Sequence, residues 1–149
     1  MIALRLLLAA SLAGLFVAAQ QQDPWKAADL IQPEVLAKAK TAPHVFYVGF
    51  PVLYRAAHIP GAVMAGPGSR ASGLETLRAE LNKLPKDAEV VLYCGCCPWD
   101  KCPNVRPAFK LAREMGFQKL KLVIIPTNLH TDWVTKGYPV EKSVPAEAQ

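Results

Sequence analysis

Four cysteines, Cys94, Cys96, Cys97 and Cys102, are the only ones in the chain, and they fall within nine residues. A structural disulfide framework spreads its cysteines apart, because crosslinks that close long loops remove the most entropy from the unfolded chain. Crowding them into one loop points to sulfur chemistry or metal binding instead. The spacing leaves several uses open. Cys94 and Cys97 form a C-x-x-C pair, a common redox spacing. Cys97 and Cys102 are near enough in sequence to close a small disulfide loop. Cys94, Cys97 and Cys102 could hold a soft ion such as Cu(I) or Zn²⁺. The pattern C-x-C-C-x4-C is not the paired C-x-x-C of a zinc ribbon, and adjacent Cys96 and Cys97 are poorly placed to grip one ion together.

The elements on either side favour a reactive cysteine. Val90-Val91-Leu92-Tyr93 is a buried-strand pattern that runs straight into Cys94. The loop then leads to a helix N-terminus, where free N–H groups and the helix dipole favour negative charge. A thiolate or a bound anion is stabilised there. Lys101 and Arg106 are the basic candidates for binding an anion. The favoured reading makes Cys94 a nucleophile that carries an extra sulfur as a persulfide, with Cys96, Cys97 or Cys102 as a resolving thiol. Its partners are a small sulfur-containing anion, an acceptor thiol or a partner protein's thiol, and it calls for no cofactor. The competing reading is a non-catalytic scaffold whose cluster binds a soft metal or exchanges disulfides.

The rest of the chain alternates apolar strands with amphipathic helices. Pro33 suits a first helical turn, with a short helix over 34–40. Strands are expected over 45–48, 62–65, 90–93 and 120–125. Ser72 and Glu75 make a capping-box pattern. Leu74, Leu77, Leu81 and Leu84 then recur at helical spacing up to Pro85. Ala108, Leu111, Ala112 and Met115 mark a second helix that ends at Gly116, and a last short helix carries Trp133. Such alternation predicts an α/β fold with a central, mostly parallel sheet covered on both faces. Ligands bind beyond the carboxyl ends of the strands in these sheets, and Cys94 stands at such an end.

The 149-residue length fits one domain, expected over residues 28–142. Arg5, the apolar run 6–17 and the small residues Val17-Ala18-Ala19 read as a secretory signal peptide over 1–19. That reading places the mature protein in the periplasm or outside the cell, with no membrane span once the signal is cleaved. Residues 20–27 read as a linker and 143–149 as a flexible tail. Removing Arg5 with the signal lowers the formal net charge from +5 to +4. The remaining basic residues are mixed with acids and form no stripe interleaved with aromatics, which argues against nucleic-acid binding.

Several landmarks, in order, resemble the rhodanese family. His58-Ile59-Pro60-Gly61-Ala62, preceded by Tyr54, is similar to its HIPGA segment. Val90-Val91-Leu92-Tyr93-Cys94 is similar to the strand that ends in its active-site cysteine. Met115-Gly116-Phe117 matches the end of the helix behind that loop. Trp133 with Gly137-Tyr138-Pro139-Val140 is similar to its closing W-x-x-x-G-Y-P segment. The resemblance spans about residues 28–142 and implies a rhodanese-like three-layer fold. It also implies sulfurtransferase chemistry, with Cys94 as persulfide carrier cradled by loop amides. Departures stand beside it. The usual Asp-x-Arg after the early strand reads Tyr47 and Gly49, the usual Gly-Gly before the tryptophan reads Asn128-Leu129, and the active loop is about five residues longer than the common form. The related phosphatase pattern needs an arginine where Asp100 stands, so that branch is excluded. Within the motif His58 is read as fixing a turn by hydrogen bonding, Trp133 as core, Trp99 as a loop anchor or cover, and His44 and His130 as surface residues.

Overall fold

The structure is a computed structural model that describes residues 22–143. The signal-peptide reading at 1–19 and the end of the tail, 144–149, lie outside the described residues. Five strands form one parallel sheet: β1 (Leu30–Ile31), β2 (His44–Tyr47), β3 (Val63–Met64), β4 (Val90–Tyr93) and β5 (Leu120–Val123), in the order β1-β5-β4-β2-β3. Helix α1 (Pro33–Ala37) precedes β2, α2 (Pro51–Ala56) joins β2 to β3, α3 (Ala71–Leu81) joins β3 to β4, and α4 (Val105–Glu114) joins β4 to β5. Among the described residues no helix is long and apolar enough to cross a membrane.

β4 lies at the centre of the sheet and is buried throughout, as a run of four apolar or aromatic residues requires. Its alternation divides the core in two. Val90 and Leu92 join Phe46, Leu77, Leu81, Phe109 and Leu120 in the layer under α3 and α4. Val91 and Tyr93 join Leu36, Tyr47, Ile59, Ile125 and Trp133 on the opposite face. The same period of two carries Cys94 into the α3/α4 layer. Tyr47 pairs with Tyr93 in register, and beyond this pair the chain leaves β2 and β4 toward opposite edges of the sheet. That divergence opens the crevice at the carboxyl ends where parallel sheets bind ligands.

Several boundaries differ from those the sequence predicts. Helix α3 starts at Ala71 behind Arg70, which makes no side-chain cap, so Ser72 lies within the first turn and the expected capping box does not form. The turn closed by Arg70 N–H on Pro67 O, 3.0 Å, starts the helix early. Gly73 packs so closely on that turn that a Cβ there would stand 2.1 Å from Pro67 O. Helix α4 begins at Val105 and ends at Glu114, with Met115 as its C-cap followed by Gly116 at φ +93°, the left-handed stop that glycine supplies without strain. The turn around Trp133, His130–Val134, is a single π-helical turn. Strand β1 and helix α2 were not predicted. β1 is two residues long, and α2 lacks a helical apolar period because no residue of it is buried. Within the segment read as a linker, Trp25 is buried, with ring centroids 5.6 Å from both Trp99 and Phe109.

Candidate functional site

Cys94 follows the last residue of β4 and is only 3 % exposed. Gly95, at φ +76°, then turns the chain sharply. A Cβ at Gly95 would stand 2.7 Å from Leu129 Cβ, and Leu129 N–H donates to Gly95 O at 2.9 Å. Trp99 N–H donates to Ile125 O at 3.0 Å, so the loop is tied to the segment after β5 at two points. A 3-10 turn, Trp99–Lys101, brings Cys102 back against Cys94, and α4 starts three residues later.

This path gathers the sulfurs. Cys94 Sγ lies 3.3 Å from Cys96 Sγ, Cys96 Sγ lies 3.1 Å from Cys97 Sγ, and Cys96 Sγ lies 3.8 Å from Cys102 Sγ. The sulfurs of Cys94, Cys96 and Cys102 all lie within 4.8 Å of one another. All four thiols are free. Spacing suggested Cys94, Cys97 and Cys102 as a ligand set, but the convergent set has Cys96 in place of Cys97. The 3-10 turn, rather than the C-x-x-C spacing, decides which sulfurs meet.

The electrostatics distinguish Cys102 from Cys94, the nucleophile of the favoured sequence reading. The N–H groups of Asn104 and Val105, at the start of α4, hydrogen-bond to the Cys102 sulfur. With a hydrogen bond from the Cys94 thiol as the largest contribution, they pull the Cys102 thiol down to about 5 despite its burial. Cys94 is pushed up, first by that hydrogen bond with Cys102 and then by burial. Cys102 is therefore the more acidic of the two thiols and Cys94 the less acidic. By geometry the Cys94 thiol donates to Cys96 Sγ at 3.3 Å, with Cys102 Sγ within 4.8 Å. Cys97 is pushed up by burial and by its hydrogen bond to Cys96.

Asn104, buried to 1 % exposure, was not singled out from the sequence. Its Nδ2 donates to Cys94 Sγ at 3.4 Å, and its Oδ1 accepts from Ser69 N–H at 3.1 Å. An asparagine just ahead of a helical pattern reads as a cap, yet here the side chain makes no cap bond and faces the sulfur. Gly49, noted as a departure at the Asp-x-Arg position, has a physical reason. A Cβ there would stand 2.8 Å from Cys94 Sγ and 2.5 Å from Tyr47 Oη. Tyr47 itself donates to Phe50 O at 3.1 Å, and burial pushes its hydroxyl pKa up.

The two basic candidates do not meet at the sulfurs. Lys101 is exposed. Arg106 pairs with Asp23, donates to Asp100 O at 3.3 Å and lies over the Trp25 ring at 5.0 Å. Other basic groups line the cleft at the cysteines. A cleft of about 440 Å³ is bounded by Tyr47, Cys94, Cys96, Leu129, His130 and Lys142 among others. His130 and Lys142 carry no motif, which is why sequence reading missed them. His58 stacks on Tyr54 at 3.8 Å, donates Nδ1–H to Tyr54 O at 2.8 Å, and exchanges backbone hydrogen bonds with Glu141. Those contacts are what fixing a turn requires. Trp133 is buried and donates Nε1–H to Pro139 O at 2.7 Å.

The rhodanese-like domain family matches residues 32–124, well over half of the chain. Among solved structures, the chain is similar to the rhodanese-like domain of the Alr3790 protein from Anabaena sp., determined by solution NMR, at 21% identity and a TM-score of 0.56, over 81% of this chain and 87% of that one. A crystal structure of the same Anabaena protein aligns at 20% identity and a TM-score of 0.57, over 75% of this chain and 82% of that one. These likenesses show the fold. A search of the curated proteins gives no match.

Proposed function

The chain belongs to the rhodanese-like domain family, and from that premise we propose that it is a sulfur-transfer domain in which Cys94 carries sulfane sulfur as a persulfide. The observation that carries this reading is the placement of Cys94 at the end of the central strand, on a cleft wall, with Cys102 Sγ within 4.8 Å and Asn104 Nδ2 donating to Cys94 Sγ at 3.4 Å. A small sulfur anion such as thiosulfate enters the cleft past Lys142 and His130. As the Cys94 sulfur attacks the outer sulfur of the donor, its thiol proton passes to Cys102 in the same step. The donor's S–S bond breaks, its electron pair leaves with sulfite, and Cys94 holds a persulfide anion next to the Cys102 thiol. An acceptor thiol then takes the outer sulfur as its own persulfide, which returns Cys94 and Cys102 to one thiolate and one thiol. Cys96 offers an internal route. Its thiol attacks Cys94 Sγ from 3.3 Å, expels the outer sulfur as hydrosulfide and leaves a Cys94–Cys96 disulfide. The N-terminal signal pattern extends the proposal to a site of action in the periplasm or outside the cell.

The test is the mass of the reduced protein before and after thiosulfate. A gain of one sulfur atom that dithiothreitol reverses, and that Cys94→Ser abolishes, supports the proposal. Normal sulfur loading by Cys94→Ser would overturn the assignment of Cys94.

A further inference from the structure

We propose that Cys94, Cys96 and Cys102 form a trigonal thiolate site for a soft d10 cation, with Cu(I) as the cation it fits best. The proposal goes beyond sulfur transfer and stands whether or not that chemistry occurs. It rests first on distance. Sulfurs bound at about 2.3 Å to a common ion stand about 4.0 Å apart in a trigonal plane and about 3.8 Å apart at tetrahedral corners. Cys96 Sγ is 3.3 Å from Cys94 Sγ and 3.8 Å from Cys102 Sγ, and all three lie within 4.8 Å of one another. Closing on an ion needs movements of tenths of an ångström.

The donor set selects the cation. Among the described residues no histidine or carboxylate joins the convergent group. An all-sulfur set suits soft ions and disfavours the harder ones. Cys97 Sγ is not within the common radius, so the fourth thiolate that a closed zinc site uses is missing from the group. Cys94 and Cys102 are each 3 % exposed, while Cys96 is partly exposed, so the ion would enter at Cys96 and come to rest against two buried ligands.

The surroundings orient the ligands, as second-shell groups of metal sites do. Asn104 Nδ2 points to Cys94 Sγ at 3.4 Å, and the N–H groups of Asn104 and Val105 meet Cys102. These donors offset the negative charge that a monovalent ion leaves on its thiolates. Gly49 leaves free the space beside Cys94 that a side chain would take.

The test titrates the reduced, full-length chain anaerobically with Cu(I) against a competing chelator, and reads stoichiometry by native mass and coordination by X-ray absorption. The expected result is one ion per chain with three sulfur neighbours. Cys97→Ser keeps the ion, Cys96→Ser loses it, and Asn104→Ala, a positioning change, weakens binding by about 10–100-fold. Cys96 is partly exposed, so its serine variant is expected to fold, and near-ultraviolet circular dichroism checks that it does. No retained copper, two-sulfur coordination, retention by Cys96→Ser, or equal loss in Cys97→Ser would each overturn the assignment. Sulfur loading from thiosulfate is read on the same metal-free preparations. Copper failure with loading intact removes this site alone, whereas loading failure with copper intact removes the persulfide reading alone.

Discussion

Cys102 and Cys94 differ by which one a helix N-terminus reaches. The hydrogen bond with the Cys94 thiol, and after it the amides of Asn104 and Val105, pull the Cys102 thiol down to about 5. One thiolate per chain should therefore titrate with a midpoint near 5 by ultraviolet thiolate absorbance. Cys102→Ser should remove that step. Cys94→Ala should raise its midpoint, because it removes the hydrogen bond that the Cys94 thiol contributes. The same groups set a pH dependence of stability. Between about 5 and the ordinary thiol value of 9.0, the unfolded chain binds a proton at Cys102 that the fold does not, so stability rises with pH across this window. Above it, Cys94 and Cys97 stay protonated in the fold while the unfolded chain loses those protons, and stability falls. Urea unfolding of the reduced protein as a function of pH should show this maximum, and a flat profile in Cys102→Ser between pH 5 and 8 would identify the thiolate as its source. Gly49→Ala tests the space beside Cys94. The added Cβ meets Cys94 Sγ at 2.8 Å and Tyr47 Oη at 2.5 Å, so we expect a loss of about 1–3 kcal/mol from overpacking, measured by the same unfolding, together with loss of sulfur loading.

Two elements outside the loop hold it in shape. Trp25, at the start of the described chain, packs on Trp99 of the loop and on Phe109 of α4, and Arg106 lies over its ring. It bridges the cysteine loop to the helix that supplies the amides. Trp25→Ala should cost about 3 kcal/mol, since the ring is 8 % exposed and leaves a large void. Amide hydrogen exchange should quicken in 94–104 more than in β4, because the loop loses its anchor while the strand keeps both neighbours. Equal protection in the loop of wild type and variant would show that its two backbone ties to Leu129 and Ile125 suffice. Asn104→Ala removes donors and acceptors on both sides of the α4 start and should cost about 1–3 kcal/mol by leaving Ser69 N–H unpaired.

The whole molecule is two apolar layers against one sheet, with the site at their shared edge. Phe109 is fully buried in the α3/α4 layer, so Phe109→Ala should remove about 3–5 kcal/mol. That is a large share of the about 5–15 kcal/mol typical of a domain. Trp133→Ala on the opposite layer should unfold the same cooperative unit, with fluorescence and far-ultraviolet dichroism moving together. Separate transitions for the two layers would show that the sheet does not couple them.

The sequence by itself determined the strands and helices whose apolar residues repeat over several turns, together with the place of Cys94 at the end of the central strand. Burial of β4 on both faces and the left-handed stop at Gly116 follow from residue type alone. β1 and α2 carried no such signal, being short or exposed along their length. Only the tertiary structure decided which sulfurs converge, that the helix amides reach Cys102, that Arg106 turns to Asp23 and Trp25, and that Lys142 and His130 border the cleft. Periodicity records which side of an element is buried. Contacts between loops depend on the turn that folds them back, and no repeating pattern in the chain encodes that turn.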